Sequence, residues 1–126
     1  MKTLLATFLL IFTSSSCAEG DSVERIVSNA NEQLPMMIDE ELRMEKILLD
    51  KKKNNYTMTS TFVNYELSEL DLYAWDDEIG STIVTDTCAD DSLDLVFKEG
   101  YTVNIINKDK SGELIRSYTI SPGDCK

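Results

Sequence analysis

Apolar residues recur at helical spacing in the first part of the chain after residue 20. From Asp21 to Leu34 they fall at i, i+3, i+4, i+7 and i+11, which predicts an amphipathic helix that docks on a sheet. Asp21 or Ser22 can cap its start. Pro35 ends it, because proline donates no N–H and disfavours helix in the preceding residue. The apolar face consists of Val23, Ile26, Val27, Ala30 and Leu34.

The pattern then becomes extended on both sides of a polar turn. Residues 36–50 are predicted extended, and the alternation slips at Ile47, which indicates a bulge or a change of face. Residues 51–55, KKKNN, form the turn and carry the only run of three lysines. Residues 56–65 alternate well, as in a half-buried antiparallel strand.

Residues 66–87 return to an imperfect helical stripe among acidic residues. Ser68 can cap a helix that runs from Glu69 toward Thr87, although Gly80 lowers the helix propensity of its middle. The stripe consists of Leu67, Leu70, Leu72, Trp75, Ile79 and Ile83.

A second short helix is predicted over residues 89–99. Asp90 or Asp91 can cap its start, and Gly100 suits a left-handed residue at its end. The residues expected to face inward are Leu93, Val96 and Phe97.

The chain closes with a predicted hairpin. Residues 101–108 and 113–120 alternate as strands, and DKSG at 109–112 is a strong turn sequence. On the second strand, the alternation places three residues on one face, namely Leu114, Tyr118 and Ile120. Together the elements predict one α+β domain over residues 21–126. It contains a small antiparallel sheet of about four strands with helices packed on one face.

Residues 1–18 have the pattern of a bacterial signal sequence. Lys2 is followed by an apolar run over residues 4–12 that is too short to span a bilayer. Two cleavage sites fit: after Ala18, or before Cys17, which would then be lipidated. We therefore expect an exported protein, in the periplasm or anchored to the outer membrane facing the periplasm.

The chain has three cysteines, and two of them lie in the folded part. If Cys88 pairs with Cys125, Cys17 is left over. Cys17 is then removed with the signal or used for lipid attachment; a free thiol is the remaining alternative. A disulfide would persist in an oxidising compartment.

Acidic residues are concentrated in the middle of the sequence. The net charge is −11, and residues 64–99 hold eleven acids against one base, Lys98. Neither nucleic acid nor an anionic membrane would attract such a chain through its net charge, so we expect membrane contact only through a lipid on Cys17. A basic protein partner would be attracted. The candidate acidic partner face comprises Asp76, Asp77, Glu78, Asp86, Asp90 and Asp91, and the candidate apolar groove comprises Leu72, Trp75 and Ile79.

The sequence argues against catalysis. It contains no histidine, which removes the commonest general base and the usual zinc ligand sets. It has no glycine-rich phosphate loop and no CxxC pair, and the adjacent acids at 76–78 point about 100° apart on a helix. We expect no enzyme activity, no cofactor and no metal.

Residues 88–125 resemble the C-terminal half of the β-class pilotins of type II secretion, which are small outer-membrane lipoproteins that escort the secretin. The matching features are Cys88-Ala89-Asp90, Leu93, Leu95, Glu99-Gly100, Ile105, Gly112 and Cys125. NEQLP at 31–35 is similar to the family's helix end. The layout also resembles that of a broad set of exported bacterial proteins. Ser14 departs from the pattern, since a lipobox normally has leucine there.

The resemblance implies a helix–strand–strand–helix–strand–strand order and a disulfide between Cys88 and Cys125. It also implies an apolar groove between helix and sheet, in which pilotins hold a helix of the secretin. The first functional hypothesis is therefore an exported, non-enzymatic binding protein that holds a helical or basic segment of a partner protein. The alternative is a periplasmic immunity protein or inhibitor whose acidic face blocks a basic toxin or hydrolase.

Overall fold

The computed structural model describes residues 22–125. The predicted signal sequence, Cys17 and the first capping candidate, Asp21, lie outside these residues. The strands are β1 (Met36–Met37), β2 (Leu42–Asp50), β3 (Asn55–Phe62), β4 (Thr102–Lys108) and β5 (Leu114–Ile120). The α-helices are α1 (Val23–Gln33), α2 (Leu72–Trp75), α3 (Ser81–Cys88) and α4 (Asp94–Lys98).

The fold is α+β, as predicted, but the sheet has five strands and is mixed. The strands lie in the order β1-β2-β3-β4-β5, and β3 and β4 run parallel while the other neighbours run antiparallel. The sheet therefore has one strand more than the four or so expected, and one of its four pairings is parallel where an antiparallel sheet was expected. The helices between residues 67 and 98 return the chain to the end of the sheet where β3 began, so β4 enters in the same direction.

The first helix is confirmed and docks on β2. Ser22 caps it by accepting the Arg25 N–H at 3.2 Å, and it ends at Gln33, before Pro35. Asn31 donates its side-chain amide to the Ile47 carbonyl at 2.8 Å and accepts the Ile47 N–H at 3.0 Å. This contact lies beside the register shift between residues 44 and 46, so the bulge predicted for this strand is present.

The core lies between the helices and one face of the sheet. The three buried residues of α1 pack there with residues from all four long strands. The largest fully buried side chains are Tyr56, Phe62, Leu42, Ile47, Met58, Leu93 and Ile120. Within residues 22–125, no helix is long and apolar enough to cross a membrane.

The acidic helix starts later than predicted. Ser68 lies inside a short 3-10 turn, Leu67–Glu69, and Asp71 is the cap, accepting the N–H groups of Tyr73 and Ala74 at 3.0 and 3.2 Å. Residues 72–88 then form a continuous helical segment that consists of α2, a π-turn (Asp76–Gly80) and α3. We call this segment the acidic helix. Such single π-turns within α-helices are frequent at functional sites.

The buried face of β5 differs from the prediction at its start. Leu114 is 53% exposed, whereas Ile115 is 2% exposed. Asn107 pairs with Arg116 but Lys108 pairs with Leu114, so one extra residue sits on β5 at this point. Because a bulge inserts one residue, it reverses the inside and outside positions that strict alternation assigns. Ile120 is buried and Tyr118 half-buried.

The helix end and the disulfide agree with expectation. Cys88, the last residue of α3, is bonded to Cys125. Asp90, and not Asp91, caps the next turn by accepting the Ser92 N–H at 3.0 Å. Gly100 adopts a φ of +88°, where a side chain would be strained.

Candidate protein-binding site

A small apolar notch opens beside the start of the acidic helix, with a volume of about 200 Å³. Two carboxylates, Asp71 and Glu78, stand among otherwise apolar walls. The remaining lining residues are Tyr65, Leu70, Ala74, Trp75 and Ile79. Small-molecule sites typically measure about 300–1,000 Å³, so this notch suits one or two side chains of a protein segment better than a cofactor.

Three aromatic rings form a rigid base behind the notch. Trp75 is 6% exposed and meets Phe62 edge-on at 4.8 Å between ring centroids and Tyr65 at 6.2 Å. Phe62 and Tyr65 lie 5.9 Å apart. Edge-to-face pairs in this range stabilise an aromatic cluster beyond the burial of its area. The notch is therefore preformed, and little ordering would accompany binding.

The segment opposite the helix is held by hydrogen bonds from residues next to β2 and β4, at the end of the sheet where β3 ends. Tyr65 donates its hydroxyl to the Glu41 carboxylate, and its carbonyl accepts the Lys110 N–H at 2.9 Å. Asp109 accepts the N–H groups of Leu67 at 2.8 Å and Glu113 at 2.8 Å. These backbone bonds, that of Leu67 first, hold the pKa of Asp109 below its ordinary value. The ionised carboxylate of Asp109 thus holds both the segment beside the notch and the β4–β5 turn.

The predicted acidic face is spread over several surroundings. Asp76 makes an ion pair with Arg116 on β5, and its pKa is lowered chiefly by the hydrogen bond from that guanidinium. Asp77 and Glu78 are exposed, and Glu78 alone of the two lines the notch. Asp86 is half-buried and Asp91 is exposed.

Asp90 differs from the other acids because it is 5% exposed. Burial raises the pKa of its carboxyl, although the Ser92 hydroxyl and backbone N–H oppose the rise. Its first oxygen, Oδ1, accepts from the Ser92 N–H and from the Ser92 hydroxyl at 2.6 Å. Asp90 is therefore a capping residue and adds little to an exposed charged face.

The predicted groove residues are partly brought together. Trp75 and Ile79 line the notch, whereas Leu72 is half-buried and packs against the core. Tyr65 and Leu70 belong to the site but were assigned to a strand and to a helical stripe. With Asp71 as the cap, Leu70 lies outside the helix and ends the preceding 3-10 turn.

The side chains of the notch are mainly apolar. Among residues 22–125, no three histidine, cysteine, aspartate or glutamate side chains converge to hold a metal ion. The notch presents an aromatic and aliphatic surface with two exposed carboxylates among its lining residues. Such a surface favours an apolar side chain that is flanked by a basic one.

The fold is that of the type II secretion pilotins. The structure of the EpsS pilotin of the Vibrio vulnificus type 2 secretion system matches with a TM-score of 0.59 and 15% identity, over 99% of this chain and 96% of that one. The AspS pilotin of Vibrio cholerae matches with a TM-score of 0.57 and 11% identity, over 98% and 96%.

Two further proteins are similar to this chain. A candidate secreted protein of Pseudomonas aeruginosa has a TM-score of 0.66 and 12% identity, over 82% of this chain and 88% of that one. Protein K of Escherichia coli is 28% identical over 103 residues, which are 81% of this chain. The chain spans 54% of the length of Protein K. No family model matches the sequence.

Proposed function

We propose that this chain is an exported, non-enzymatic binding protein that holds a basic, helical segment of a partner protein in the Trp75 notch. The notch carries this proposal, because its lining combines apolar side chains with two exposed carboxylates. An amphipathic helix would place an apolar anchor between Trp75 and Ile79, and a neighbouring Lys or Arg beside Glu78. Two solved relatives are secretion pilotins, and this supports a partner in the cell envelope.

Export to the periplasm belongs to the same proposal. The residues before 22 have the composition of a signal sequence, and Cys17 would be the point of lipid attachment. The Cys88–Cys125 disulfide fits an oxidising compartment. Mass spectrometry of the protein isolated from cells tests this: a mature chain that begins at acylated Cys17 or at Glu19 supports export, and an intact residue 1 contradicts it.

The chain contains one tryptophan, so Trp75 fluorescence reports directly on the notch. We expect a basic amphipathic helical peptide to shift this fluorescence, and the same peptide with its bases replaced by acids to leave it unchanged. Ala74→Lys should abolish the shift, because Ala74 is an exposed wall of the notch and lysine would both fill it and repel a base. Thr85→Lys is the matched control on the exposed side of the same helix.

The adjacent acids provide a second matched pair. Glu78 lines the notch and its exposed neighbour Asp77 does not, so Glu78→Gln should weaken peptide binding more than Asp77→Asn. Equal binding by Ala74→Lys and Thr85→Lys would contradict the notch as the site. A partner lost on Asp77→Asn but retained on Ala74→Lys would favour the inhibitor alternative, in which exposed carboxylates meet a basic toxin or hydrolase.

A further inference from the structure

The face of the sheet opposite the helices, which we call the open face, carries a row of side chains across all five strands. Met37 pairs with Arg43, and Arg43 pairs with Thr61. Thr61 pairs with Lys108, and Lys108 pairs with Leu114. Because directly paired residues project from the same face, the row reads apolar, basic, polar, basic, apolar.

Exposed apolar side chains are concentrated on this face. Five large hydrophobic residues are exposed among residues 22–125, and three of them belong to the open face: Met37 (46%), Leu48 (55%) and Leu114 (53%). Leu48 pairs with Thr57, whose parity along β3 matches that of Thr61. The bulge on β5 is what turns Leu114 outward. Exposed apolar residues that share one face indicate a contact surface more than scattered single ones do.

The same face is basic in an acidic protein. Arg43, Lys46, Lys108 and Lys110 line a shallow depression of about 540 Å³ between the ends of β2 and β4. The acid in its lining, Glu45, is bonded to Arg43 at 2.7 Å. At the far end of β2 the exposed acid Asp50 lies on the same face and is followed by the exposed lysine tip, Lys51–Lys53. These bases come from separate segments of the chain. Neither the local sequence nor the net charge of −11 therefore indicates that they share a surface.

The position of the chain's beginning adds a second argument. Lys51 donates to Glu24 at 2.9 Å, which places the lysine tip beside the first turn of α1. The segment that contains Cys17 leads through Asp21 to Ser22, and it therefore joins the described domain at this end. Any attachment through that segment would hold the lysine tip near the surface to which it is attached.

We propose that the open face docks on an anionic phospholipid surface. Phosphate headgroups would meet Arg43, Lys46 and Lys108, while Met37, Leu48 and Leu114 would enter the headgroup boundary. A soluble acidic protein would satisfy the charges but would offer less to the three exposed apolar residues. In this orientation the acidic helix and its notch face away from the lipid, which leaves them open to a partner.

Vesicle flotation tests the proposal. The exported protein would carry Cys17→Ser, so that no acyl chain can contribute. It should float with vesicles of phosphatidylcholine mixed with phosphatidylglycerol, should bind far less to vesicles of phosphatidylcholine alone, and should be released by salt. Lys46→Gln with Lys108→Gln should lower the partition coefficient on the order of tenfold.

Matched variants on the helix side show whether vesicle binding depends on the charge of the open face or on the net charge of the whole protein. Lys98→Glu changes the net charge as much as Lys46→Gln with Lys108→Gln does, but it lies on α4 and should leave binding unchanged. Leu48→Asn should reduce binding, whereas Tyr73→Asn, at a site 89% exposed on the acidic helix, should not. Absence of flotation with mixed vesicles, or equal losses for the Lys98 variant and the Lys46 and Lys108 variant, would overturn the proposal. Circular dichroism of each variant confirms that it is folded. The notch variant Ala74→Lys should float normally, so this test is independent of the proposed function.

Discussion

Arg116 Nε and Nη2 lie 2.9 and 3.0 Å from the two carboxylate oxygens of Asp76, and this pair ties the π-turn to edge strand β5. Bidentate geometry makes it stronger than an ordinary surface ion pair. A Cβ atom placed on Gly80 in the same turn would lie 3.7 Å from the Tyr118 hydroxyl, an ordinary contact distance. The charged contact between Asp76 and Arg116 therefore fixes the middle of the acidic helix to the sheet.

We expect Asp76→Asn to lower the thermal midpoint, and Asp77→Asn on the same turn to leave it unchanged or raise it by reducing acidic repulsion. The pKa of Asp76 is lowered in the folded protein, so its contribution to stability is present above the unfolded value of about 3.9 and is lost as pH falls through the folded pKa. Thermal unfolding of the parent and both variants between acidic and neutral pH, at low and high salt, measures these effects. Equal midpoints for the two variants would show that the ion pair does not stabilise the fold.

Removal of the disulfide should destabilise the domain strongly. Cys88 and Cys125 are 37 residues apart in sequence. Closing a loop of this length lowers the conformational entropy of the unfolded chain and so stabilises the folded state by roughly 3.5–4 kcal/mol. Urea unfolding of Cys88→Ser with Cys125→Ser should show a loss of this order. Cys17→Ser is the control and should unfold like the parent. An unchanged urea midpoint for the double variant would contradict the expectation.

The bulge on β5 predicts opposite results for two neighbouring residues. Ile115 is 2% exposed, so Ile115→Ala should cost about 2–5 kcal/mol through lost burial and a residual cavity. Leu114 is 53% exposed, so Leu114→Ala should change the free energy of unfolding by no more than about 0.5 kcal/mol. Urea unfolding compares them directly. If Leu114→Ala were the more destabilising variant, β5 would follow the strict alternation of its sequence.

The features predicted correctly from sequence have local causes. Ser22 as a cap, the helix end before Pro35 and the left-handed Gly100 depend on residues within one turn of each other. The core positions of α1 follow from its helical period alone. In each case the chemistry of a few neighbouring residues is enough to determine the backbone.

The features that were missed depend on residues distant in sequence. Leu114 faces outward because of the β4–β5 pairing, which the alternation of β5 cannot reveal. The choice of Asp71 over Ser68 as cap follows from Leu67 being bonded to Asp109. Both are sound capping residues locally, so the tertiary contact decides between them.

The candidate site shows the same division. Trp75 and Ile79 were found because they share a helical stripe, whereas Tyr65 reaches the notch through a hydrogen bond to Glu41. The charge of a residue can be read from the sequence, but the face of the sheet on which it lies cannot. Arg43 and Lys108 both pair with Thr61 and so share one face of the sheet, which follows from the parallel pairing of β3 and β4.

The buried cap Asp90 predicts an unusual dependence of stability on pH. Burial raises the pKa of its carboxyl, and the neighbouring charges of Asp91 and Asp94 raise it further. The folded state then binds a proton more tightly than the unfolded state, for which the pKa is about 3.9. This contribution to stability is therefore present below the unfolded pKa and is lost as pH rises through the folded pKa.

Asparagine at this position separates the charge from the cap. Asp90→Asn keeps the oxygen that accepts the Ser92 N–H but cannot ionise, so it should remove this part of the pH dependence and should stabilise the protein at neutral pH. Asp90→Ala also removes the charge but leaves the turn uncapped, and it should be less stable than Asp90→Asn by about 1 kcal/mol. Urea unfolding of the three proteins across acidic and neutral pH measures both differences. If the parent and Asp90→Asn changed in stability by the same amount between these conditions, Asp90 would titrate alike in the folded and unfolded chains.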